Sequence, residues 1–585
     1  MLGAELLAAA CRGRGVSCDV LYANLTFAAL VGEQTHERVA IPRISRPVGE
    51  MVFAPEVFAG LPDPVEYLLT AEDAGPLHMQ CDHSEEVRCY EACRAEAADF
   101  VEETAAAILG LEPRLVGFSA VCQQTLASLA VAKAIKARAS EVLTVLGGPA
   151  ASLPMGLALA DVAPMLDSVV AGEADLFFAE LCVAYLREGI RPPRMVDCGH
   201  MHDLDEAPRP DYSAYFAQLA VLQAAGSLPL RYPRHLLFES SRGCWWAEKT
   251  KCRFCGLIGC RYRRKSESRL LSELRGLHQR HAGVPLLAVD CIMPREMVRD
   301  VLPQLIADGI RTHLKYEIKA DVSPQELRTL RESGCTWVQP GIESLCPSIL
   351  RAFRKGVRAT QGIRLLRECR SLGIAASWNF LYGVPGDELQ DYRDVLRLLP
   401  TLTHLHAPVS YSSIALMRAS PYHDELERYG FRDVRPLGAY RYLYPPEARM
   451  ADIGTDYDAD WPTALDEDPG LAEELRQALE AWTDLWRERQ RRPHLMAVPL
   501  PGGRVLVQDT RPCAKQGVFL GDAGHAEALA FFDEPRTRSA AGAVPAAILA
   551  GLLERDFVVD WDGRYLSLVT RGAAERVSPA AHRTD

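Results

Sequence analysis

The chain has few of the features that direct a protein into or across a membrane. It contains no run of about 18 apolar residues, and its apolar stretch at residues 543–553 is interrupted by Pro545. Its first residues carry an acid, Glu5, where a secretory signal would carry basic residues. These absences predict a cytoplasmic protein, in a compartment where cysteines stay reduced. The 17 cysteines therefore favour metal or redox chemistry over disulfide bonds.

Positive charge is also in short supply. The chain has 65 Lys and Arg residues against 77 Asp and Glu residues, which gives a formal net charge of −12. Because binding to a phosphate backbone needs a basic surface, this balance argues against nucleic acid as the main partner. The 585 residues, 48% of them hydrophobic and 24% charged, are enough for about three to five globular domains.

Four regions differ in their residue patterns. Residues 1–190 alternate short apolar strands with helices, which predicts a doubly wound parallel α/β sheet. Residues 191–235 contain many prolines and are predicted to be a linker. Residues 236–415 predict an open or partial (β/α)6 barrel of the TIM type, whose ligands lie at the C-terminal ends of the strands. Its six strands are expected at residues 236–240, 286–290, 314–319, 336–340, 377–382 and 404–411.

Residues 416–585 predict an α+β domain of another kind. One apolar face of a long helix is formed by Leu471, Leu475, Leu479, Trp482 and Trp486. A strand is expected at residues 504–509, followed by two short helices. Asp562-Gly563 between two alternating runs predicts a hairpin. Two helices followed by a hairpin resemble a winged-helix arrangement.

The most informative segment follows the first strand of the predicted barrel. Cys244, Cys252 and Cys255 lie in one loop with the spacing C-x7-C-x2-C. Three thiolates leave one iron of a cubic 4Fe-4S cluster without a protein ligand, so a small molecule can chelate that iron. The alternative is a zinc site with Cys260 as a possible fourth ligand. The position at the barrel mouth favours the cluster.

A second group of cysteines and histidines lies near residue 85 and consists of His78, Cys81, His83, Cys89 and Cys93. The C-x7-C-x3-C spacing could bind a metal. Cys89 and Cys93 are four residues apart and share a helix face, however, and small buried thiols are common in such positions. We therefore favour buried thiols here.

The cysteine loop resembles that of the radical S-adenosylmethionine (SAM) enzymes, whose usual spacing is C-x3-C-x2-C. The longer spacing here begins with Gly-Cys-Trp-Trp and ends with Cys-x-Phe-Cys-Gly. It is similar to the cobalamin-binding branch that matures ribosomally synthesised peptides, the RiPP maturation radical SAM protein 1 family. Further similar stretches lie at residues 19–25, 116–119, 203–212, 316–319, 339–344, 379–383 and 509–512.

The resemblance implies three cofactors: a 4Fe-4S cluster on Cys244, Cys252 and Cys255, SAM on the open iron, and cobalamin. Polar residues near the C-terminal strand ends are implied to contact SAM, although they could instead form a structural network inside the barrel. They are Asp290, Glu317, Lys319, Gln339, Glu343 and Asn379. Two positions depart from the family pattern, Cys291 in place of Asn and Asp387 in place of Glu.

Cobalamin is implied to lie against the N-terminal region, where glycines let the backbone approach a bulky ligand. Its candidate contacts are Ser119, Gln123, Gln124, Thr125, Gly147, Gly148, Gly172 and Glu173. The chain has no Asp-x-His-x-x-Gly, so the lower cobalt face would lack a histidine from that motif. Family members begin with a strand ahead of the first helix. Here residues 2–12 are predicted to be helical and residues 18–23 to be a strand, so we expect one strand of the sheet to precede Met1.

We therefore expect a C-methyltransferase that acts on unactivated carbons of a ribosomally synthesised precursor peptide. A deoxyadenosyl radical would remove hydrogen, the carbon radical would take methyl from methylcobalamin, and a second SAM would restore that methyl group. The expected partners are the peptide, SAM, cobalamin and an electron donor such as flavodoxin or ferredoxin. Residues 416–585 would cover the barrel mouth or bind the peptide.

Two alternatives remain open at this point. One keeps the cofactors but cyclises, epimerises or rearranges the peptide without methyl transfer. The other belongs to a different class, a non-catalytic, zinc-stabilised peptide-binding protein.

Overall fold

The computed structural model describes residues 1–41, 46–70, 77, 83–121, 123–229, 235–257 and 261–572. These residues form an N-terminal α/β unit, a central unit of parallel strands and helices, and a C-terminal α+β unit. None of the helices in these ranges is both long enough and apolar enough to cross a membrane.

The N-terminal unit is built on a four-stranded parallel sheet. Its strands are β1 (Leu115–Ser119), β2 (Leu143–Gly147), β3 (Ser168–Ala171) and β4 (Met195–Asp197). Its helices are α1 (Leu2–Gly13), α2 (Ala23–Val31), α3 (Glu33–Ala40), α4 (Val48–Val57), α5 (Val65–Thr70), α6 (His83–Leu109), α7 (Thr125–Arg138), α8 (Met155–Val162), α9 (Phe177–Glu188) and α10 (Ser213–Ala224). The strands lie in the order β1-β2-β3-β4, and Ser119 pairs with Gly147, so their C-terminal ends meet at one edge.

The N-terminal sheet departs from the predicted arrangement in two ways. Within the described residues its strand order does not reverse, so the doubly wound arrangement is not reproduced. The range 191–235 is also more than a linker, because β4 completes the sheet and α10 follows it.

The strand predicted at residues 18–23 is wrong, since α2 already begins at Ala23. The backbone just before α2 pairs with a side chain instead of a neighbouring strand. The Gln218 amide accepts a hydrogen bond from the Tyr22 N–H at 2.9 Å and donates one to the Val20 carbonyl at 2.6 Å. A distant side chain thus satisfies the polar backbone groups that a sheet would otherwise pair.

The central unit alternates parallel strands with helices. Its strands are β5 (Leu236–Phe238), β6 (Ser241–Arg242), β7 (Arg263–Arg264), β8 (Leu286–Ala288), β9 (Lys315–Lys319), β10 (Trp337–Gly341), β11 (Ala375–Ala376), β12 (Asn379–Tyr382) and β13 (Ser410–Ser413). Its helices are α11 (Trp245–Lys249), α12 (Glu267–Arg280), α13 (Leu302–Ala307), α14 (Pro324–Glu332), α15 (Pro347–Ala352), α16 (Ala359–Leu372) and α17 (Leu389–Leu402). A parallel sheet in the order β11-β10-β9-β8-β5 is joined to the parallel pair β12-β13 by a bridge between Glu343 and Phe380.

The last barrel strand lies further along the chain than predicted. It is found at Ser410–Ser413 instead of 404–411 because the preceding backbone binds side chains. The indole N–H of Trp482 donates to the Leu405 carbonyl and that of Trp378 to the His406 carbonyl, each at 2.9 Å. These carbonyls are hydrogen-bonded to side chains instead of to a neighbouring strand.

The C-terminal unit contains three small sheets. Its strands are β14 (Leu416–Met417), β15 (Arg432–Pro436), β16 (Asp456–Asp460), β17 (Leu495–Pro499), β18 (Val505–Asp509), β19 (Val518–Gly521), β20 (Arg536–Thr537), β21 (Val558–Trp561), β22 (Arg564–Ser567) and β23 (Thr570–Arg571). Its helices are α18 (Pro421–Asp424), α19 (Leu426–Tyr429), α20 (Met450–Ile453), α21 (Ala464–Glu467), α22 (Pro469–Arg487), α23 (Ala523–Phe531) and α24 (Ala546–Glu554).

Two local predictions for this unit match the structure. The expected apolar face of α22 is buried from Leu471 to Trp482. Asp562 and Gly563 form the turn between β21 and β22, and both have positive φ, 52° and 68°, as this type of hairpin turn requires. The helices α23 and α24 precede the hairpin in the expected order, while the winged-helix arrangement stays a prediction.

The C-terminal unit connects the other two units. Residues 438–453, here called the strap, contribute Tyr442, Tyr444 and Ile453 to the hydrophobic core of the N-terminal unit. Elsewhere in the same unit, Met417 at the end of β14 packs against Gly256 so closely that a Cβ on Gly256 would lie 2.7 Å from the Met417 Cβ. The C-terminal unit therefore contacts both the N-terminal core, through the strap, and the loop that carries the three cysteines, through β14.

Candidate active site at the mouth of the central unit

The cysteine loop is anchored where it leaves β5. The buried carboxylate of Asp290 accepts a hydrogen bond from the Ser240 backbone N–H at 2.8 Å, and others from the hydroxyls of Ser241 at 3.2 Å and Tyr316 at 2.9 Å. Burial raises the pKa of Asp290 to about 6. Asp290 was predicted to contact SAM. In the structure its carboxylate oxygens bind residues at the start of the loop and hold that part of the loop in position.

The base of the loop is closed by a short antiparallel pair. Strand β6 pairs with β7, which brings the residues on either side of the three cysteines together. Between these strands the chain forms α11 and the Cys252–Cys255 turn, where the Cys255 N–H donates to the Cys252 carbonyl at 3.1 Å.

The three cysteine thiols lie close enough to influence one another. Burial raises the pKa of Cys252 to about 11; the nearby Lys355 ammonium opposes this rise, and Cys255 and Cys244 add to it. All three thiols are partly exposed and reduced. Within the described ranges no three His, Cys, Asp or Glu side chains are grouped to hold a metal ion, and Cys260 lies outside those ranges. It is the number and spacing of the three thiols in one loop that match the donor set of a cluster with one open iron.

A second segment, residues 353–356, packs against the cysteine loop. The Arg253 N–H donates to the Phe353 carbonyl, and the Trp246 indole N–H to the Arg354 carbonyl, each at 3.0 Å. Gly356 has φ +66°, and a Cβ there would lie 2.0 Å from the Trp246 ring. Only glycine fits this contact, because it combines the left-handed conformation with no side chain.

Lys355 and Glu343 form an ion pair beside the cysteines. The Lys355 ammonium lies 2.8 Å from a Glu343 carboxylate oxygen and 5.4 Å from the centre of the Phe254 ring. Burial would lower the pKa of Lys355, but the charges of Glu343 and Cys252 raise it overall. Sequence reasoning predicted Glu343 and missed Lys355, since no spacing rule connects residue 355 to the cysteine motif.

Other predicted SAM contacts lie on neighbouring strands. Glu317 pairs in register with Gln339 across β9 and β10, and the Glu317 carboxylate has no hydrogen-bond partner in the part of the chain that is described. The Lys319 ammonium donates to the Gly356 carbonyl at 3.0 Å and lies 4.3 Å from the Trp246 ring centre. Glu317 and Gln339 are thus the more available of these polar groups, whereas Lys319 supports the cysteine loop.

Asn379 was expected at the end of a strand and instead begins β12. Its side-chain oxygen accepts a hydrogen bond from the Ser410 hydroxyl at 2.8 Å. The bridge between Glu343 and Phe380 places Asn379 level with the residues that follow β10. It therefore lies at the C-terminal edge of β10 although it is at the N-terminal end of its own strand.

The predicted cobalamin contacts around α7 are engaged by another helix. The Glu50 carboxylate accepts hydrogen bonds from the backbone N–H groups of Thr125 at 3.0 Å and Leu126 at 2.7 Å, so it occupies the N-terminus of α7. The Gln123 side chain in turn accepts a hydrogen bond from the Glu50 N–H at 3.1 Å. Of the residues predicted here, Gln124 is the one that is exposed.

Two of the predicted glycines are explained by contacts within the protein. A Cβ on Gly148 would lie 2.6 Å from the Ala120 carbonyl oxygen, and one on Gly172 would lie 2.4 Å from the Gly199 carbonyl oxygen. Both glycines also have positive φ, 98° and 89°. Ser119, Gly147 and Gly172 remain accessible at the C-terminal ends of β1, β2 and β3.

Glu173 joins the N-terminal unit to the base of the cysteine loop. Its carboxylate oxygens accept two hydrogen bonds from the Arg263 guanidinium, at 2.7 and 2.8 Å, and one from Arg242 at 3.1 Å. Arg242 also binds Asp175 through two hydrogen bonds of 2.8 Å. Burial alone would raise the pKa of Glu173, but the bonds and charges of the two arginines lower it to about 2. These arginines and Asp175 were not singled out from sequence, because the partners lie far apart in the chain.

The second cysteine and histidine group is only partly within the described residues, since His78 and Cys81 lie outside them. Cys93 is buried, and burial raises its pKa to about 12, with a further contribution from the neighbouring Cys89. This environment suits small buried thiols, as favoured from the sequence.

Comparisons with known proteins identify the central unit. Residues 238–399 match the model of the radical SAM superfamily. An uncharacterized methyltransferase of Pyrococcus horikoshii is 25% identical over 334 residues, covering 53% of this chain and 68% of the relative. The hopanoid C-3 methylase of Methylococcus capsulatus is 26% identical over 269 residues, covering 43% of this chain and 49% of the relative, so the chain spans about half of that protein.

Solved structures show a weaker likeness. The cobalamin-dependent radical SAM enzyme OxsB, with aqua-cobalamin and SAM bound, has a TM-score of 0.48 and 14% identity, covering 66% of this chain and 60% of that one. The radical SAM methyltransferase TsrM from Kitasatospora setae, with tryptophan and a SAM analogue bound, has a TM-score of 0.47 and 15% identity, covering 64% of this chain and 80% of that one. No assignment for this chain follows from likenesses of that size.

The superfamily match begins at the last residue of β5 and covers the cysteine loop and the barrel strands that carry the predicted SAM contacts. The alternative of a non-catalytic zinc protein is therefore wrong. The chain contains a radical SAM domain and is a radical SAM enzyme, with a 4Fe-4S cluster and SAM as its cofactors.

Proposed function

We propose that this enzyme is a cobalamin-dependent C-methyltransferase that acts on unactivated carbons of a ribosomally synthesised precursor peptide. The observation that carries the proposal is the Glu173–Arg263 contact, because it brings the strand ends of the N-terminal sheet against the base of the cysteine loop. A methyl donor bound at that sheet edge would lie beside the radical chemistry. The names of the relatives, a methyltransferase and a methylase, support the same reaction class.

In this proposal Cys244, Cys252 and Cys255 bind the cluster. Lys355 places a positive charge beside the thiolates, and its ion pair with Glu343 fixes that charge in position. Gly356 and Trp246 keep residues 353–356 packed on the loop. When bound, the cluster and SAM supply a 5′-deoxyadenosyl radical and methylcobalamin supplies the methyl group.

SAM would lie over β9 and β10. The free Glu317 carboxylate can accept hydrogen bonds from a ribose or an amine, and Gln339, its partner in register, can donate and accept from its amide. Asn379 is already oriented by Ser410 and can use its amide N–H group toward a ligand.

Cobalamin would lie on the accessible strand ends at Ser119, Gly147 and Gly172. Two exposed apolar residues follow strand ends: Val121, two residues after β1, is 41% exposed, and Val289, directly after β8, is 46% exposed. Exposed apolar side chains beside accessible backbone suit a large ring with apolar faces. Glu173, Thr125 and Gly148 then support the N-terminal unit, since their groups are used within the protein.

The C-terminal unit would bind the precursor peptide. Strand β19 lies at the edge of the sheet β19-β18-β17-β23 and carries two exposed apolar residues, Val518 at 60% and Leu520 at 57%. An edge strand with free backbone groups and apolar side chains can pair with an extended peptide.

The test is co-expression with a short peptide encoded beside this gene, followed by mass spectrometry of the peptide. With methyl-labelled SAM, the expected result is a peptide that carries labelled methyl on carbon. With the Cys252→Ala variant, the peptide should stay unmodified. The matched control is Cys93→Ala, which removes a buried thiol away from the loop. A peptide that is modified without label would establish cyclisation, epimerisation or rearrangement and overturn the proposal. An unmodified peptide in a cluster-loaded, cobalamin-loaded enzyme would overturn the peptide substrate.

A further inference from the structure

A groove of about 620 Å³ opens beside the cysteine loop. One wall is the outer side of that loop and the other is the stretch from α15 to the start of α16, with the β21–β22 turn at one end. The lining residues are Trp246, Thr250, Pro347, Leu350, Arg351, Arg354, Gly356, Val357, Arg358, Gln361 and Asp562. None of them is a predicted SAM or cobalamin contact.

The groove is basic although the chain is acidic overall. Arg351, Arg354 and Arg358 line it and are exposed, whereas the whole chain has a formal net charge of −12. Arg358 lies 3.7 Å from an Asp562 carboxylate oxygen. In the described part of the chain, Arg351 and Arg354 have no carboxylate partner. Two uncompensated arginines in a concave surface create a local positive potential.

The groove also reaches the cysteine loop directly. Trp246, which lies between Cys244 and Cys252 in the chain, has its ring against Gly356 and its indole N–H on the Arg354 carbonyl at 3.0 Å. Lys355, between Arg354 and Gly356 in the chain, does not line the groove, and its charge acts on Cys252. A protein in the groove would therefore contact the cysteine loop itself, at Trp246 and Thr250.

We propose that this groove is the docking surface for a small acidic one-electron carrier protein, which delivers the electron that the cluster needs. The inference rests on the proposed binding of the cluster by Cys244, Cys252 and Cys255. The transfer balances simply: the reduced carrier loses one electron, the oxidised cluster gains it, and no bond or proton changes. Charge complementarity steers the acidic carrier to the arginines, and Trp246 and Thr250 place the groove on the cysteine loop itself.

The test measures cluster reduction in the full-length, cluster-loaded enzyme, by loss of absorbance near about 400 nm in stopped flow. Reduced flavodoxin is the protein donor, and reduced methyl viologen, a small cation, is the control donor. The variant is R351E/R354E, which keeps the Arg354 carbonyl in place. The matched control is R311E/R328E, because Arg311 and Arg328 are exposed, lie outside the groove and give the same change in charge.

We expect R351E/R354E to lower the second-order rate with flavodoxin by about tenfold or more at low salt, with a smaller difference at high salt because charges are then screened. Reduction of this variant by methyl viologen should not slow, because the introduced carboxylates do not repel a cationic donor. Its cluster content, and the flavodoxin rate of the R311E/R328E variant, should match those of the wild-type enzyme. An unchanged flavodoxin rate would overturn the docking surface. A loss of precursor peptide binding with unchanged reduction would also overturn it and assign the groove to the peptide. Cluster reduction is measured without methyl transfer. Failure of the proposed methyltransferase reaction can therefore be told apart from failure of the docking surface.

Discussion

The Arg263 guanidinium binds both carboxylate oxygens of Glu173, at 2.7 and 2.8 Å, across the boundary between the N-terminal sheet and the base of the cysteine loop. Both side chains are largely buried, with 10% and 16% of their surface exposed. A two-point ion pair fixes distance and orientation together. The relative position of the two units therefore depends on this contact.

Glu173→Gln should lower the free energy of unfolding at pH 7 by roughly 2–4 kcal/mol, since the buried Arg263 loses its carboxylate partner, while Arg242 keeps Asp175 and Glu239. The pKa of Glu173 is lowered to about 2 in the folded protein, so its stabilising effect is complete above the ordinary carboxyl pKa and is lost as the pH falls through the range from there to about 2. Chemical denaturation at several pH values measures this difference.

The control for that change is Glu180→Gln. Glu180 pairs with Arg14 at 3.3 Å on the surface, with 58% of its side chain exposed. Its loss should cost less than about 0.5 kcal/mol. Equal effects of the two substitutions would contradict a bridging role for Glu173.

Asp290→Asn should reduce iron content after anaerobic reconstitution, because an asparagine oxygen cannot accept all the hydrogen bonds that anchor Ser240, Ser241 and Tyr316. Burial raises the pKa of Asp290 to about 6, so its protonation favours the folded state. The stability advantage of the wild-type enzyme over the variant should be largest below the ordinary aspartate pKa and decline as the pH rises through about 6. Asp308→Asn, at a site with 38% exposure, is the control. A variant with wild-type iron content and the same pH profile would contradict the anchoring role.

Gly356→Ala should prevent normal packing of the cysteine loop and lower iron loading at least severalfold. The added Cβ would lie 2.0 Å from the Trp246 ring, in addition to the cost of a positive φ. Gly430→Ala separates these effects, because Gly430 has φ +77° and no atom within 4 Å of the added Cβ. The control should lose only about 1 kcal/mol of stability and keep its iron. Equal iron content in the two variants would show that the Trp246 contact does not matter.

Val518→Asp combined with Leu520→Asp should weaken binding of the precursor peptide about tenfold or more, since an extended peptide would lose apolar contacts along β19. Val221→Asp is the control, because Val221 is 69% exposed on α10. Fluorescence anisotropy of a labelled peptide measures affinity without turnover. Unchanged affinity in the double variant would exclude β19 as the binding edge.

Point substitutions suit this test better than truncation. The Arg367 guanidinium of the central unit donates to the Ser567 carbonyl at 2.7 Å, and Leu552 and Phe557 belong to the core that the two units share. Deleting residues 520–585 would therefore expose that core and destabilise the enzyme as a whole.

The features that could be predicted from sequence are those determined by neighbouring residues. Ser323 and Glu326 cap α14 through reciprocal hydrogen bonds of 3.2 and 2.9 Å, and Asp562-Gly563 turns the hairpin, because both motifs are complete within a few residues. The cysteine spacing likewise identified the loop. In each of these patterns, the residues that interact lie within a short stretch of the chain, so the sequence alone shows the interaction.

What could not be predicted depends on residues that are distant in sequence. Glu50 fills the N-terminus of α7 from 75 residues away, and Gln218 replaces a neighbouring strand beside Tyr22 from 196 residues away. Glu173 lies just after a strand end, which is the position expected of a ligand contact. In the structure, however, its carboxylate accepts hydrogen bonds from Arg263. A glycine or acid after a strand has the same local pattern whether its partner is a cofactor or another part of the chain.

The strap has a consequence for the order in which the enzyme matures. Because Tyr442, Tyr444 and Ile453 belong to the N-terminal core, that core lacks part of its apolar contacts until residue 453 has left the ribosome. By then the whole radical SAM domain, residues 238–399, has been synthesised. The first unit to be translated is thus completed only after the second, and the N-terminal core acquires its last apolar contacts from a segment that follows the whole radical SAM domain.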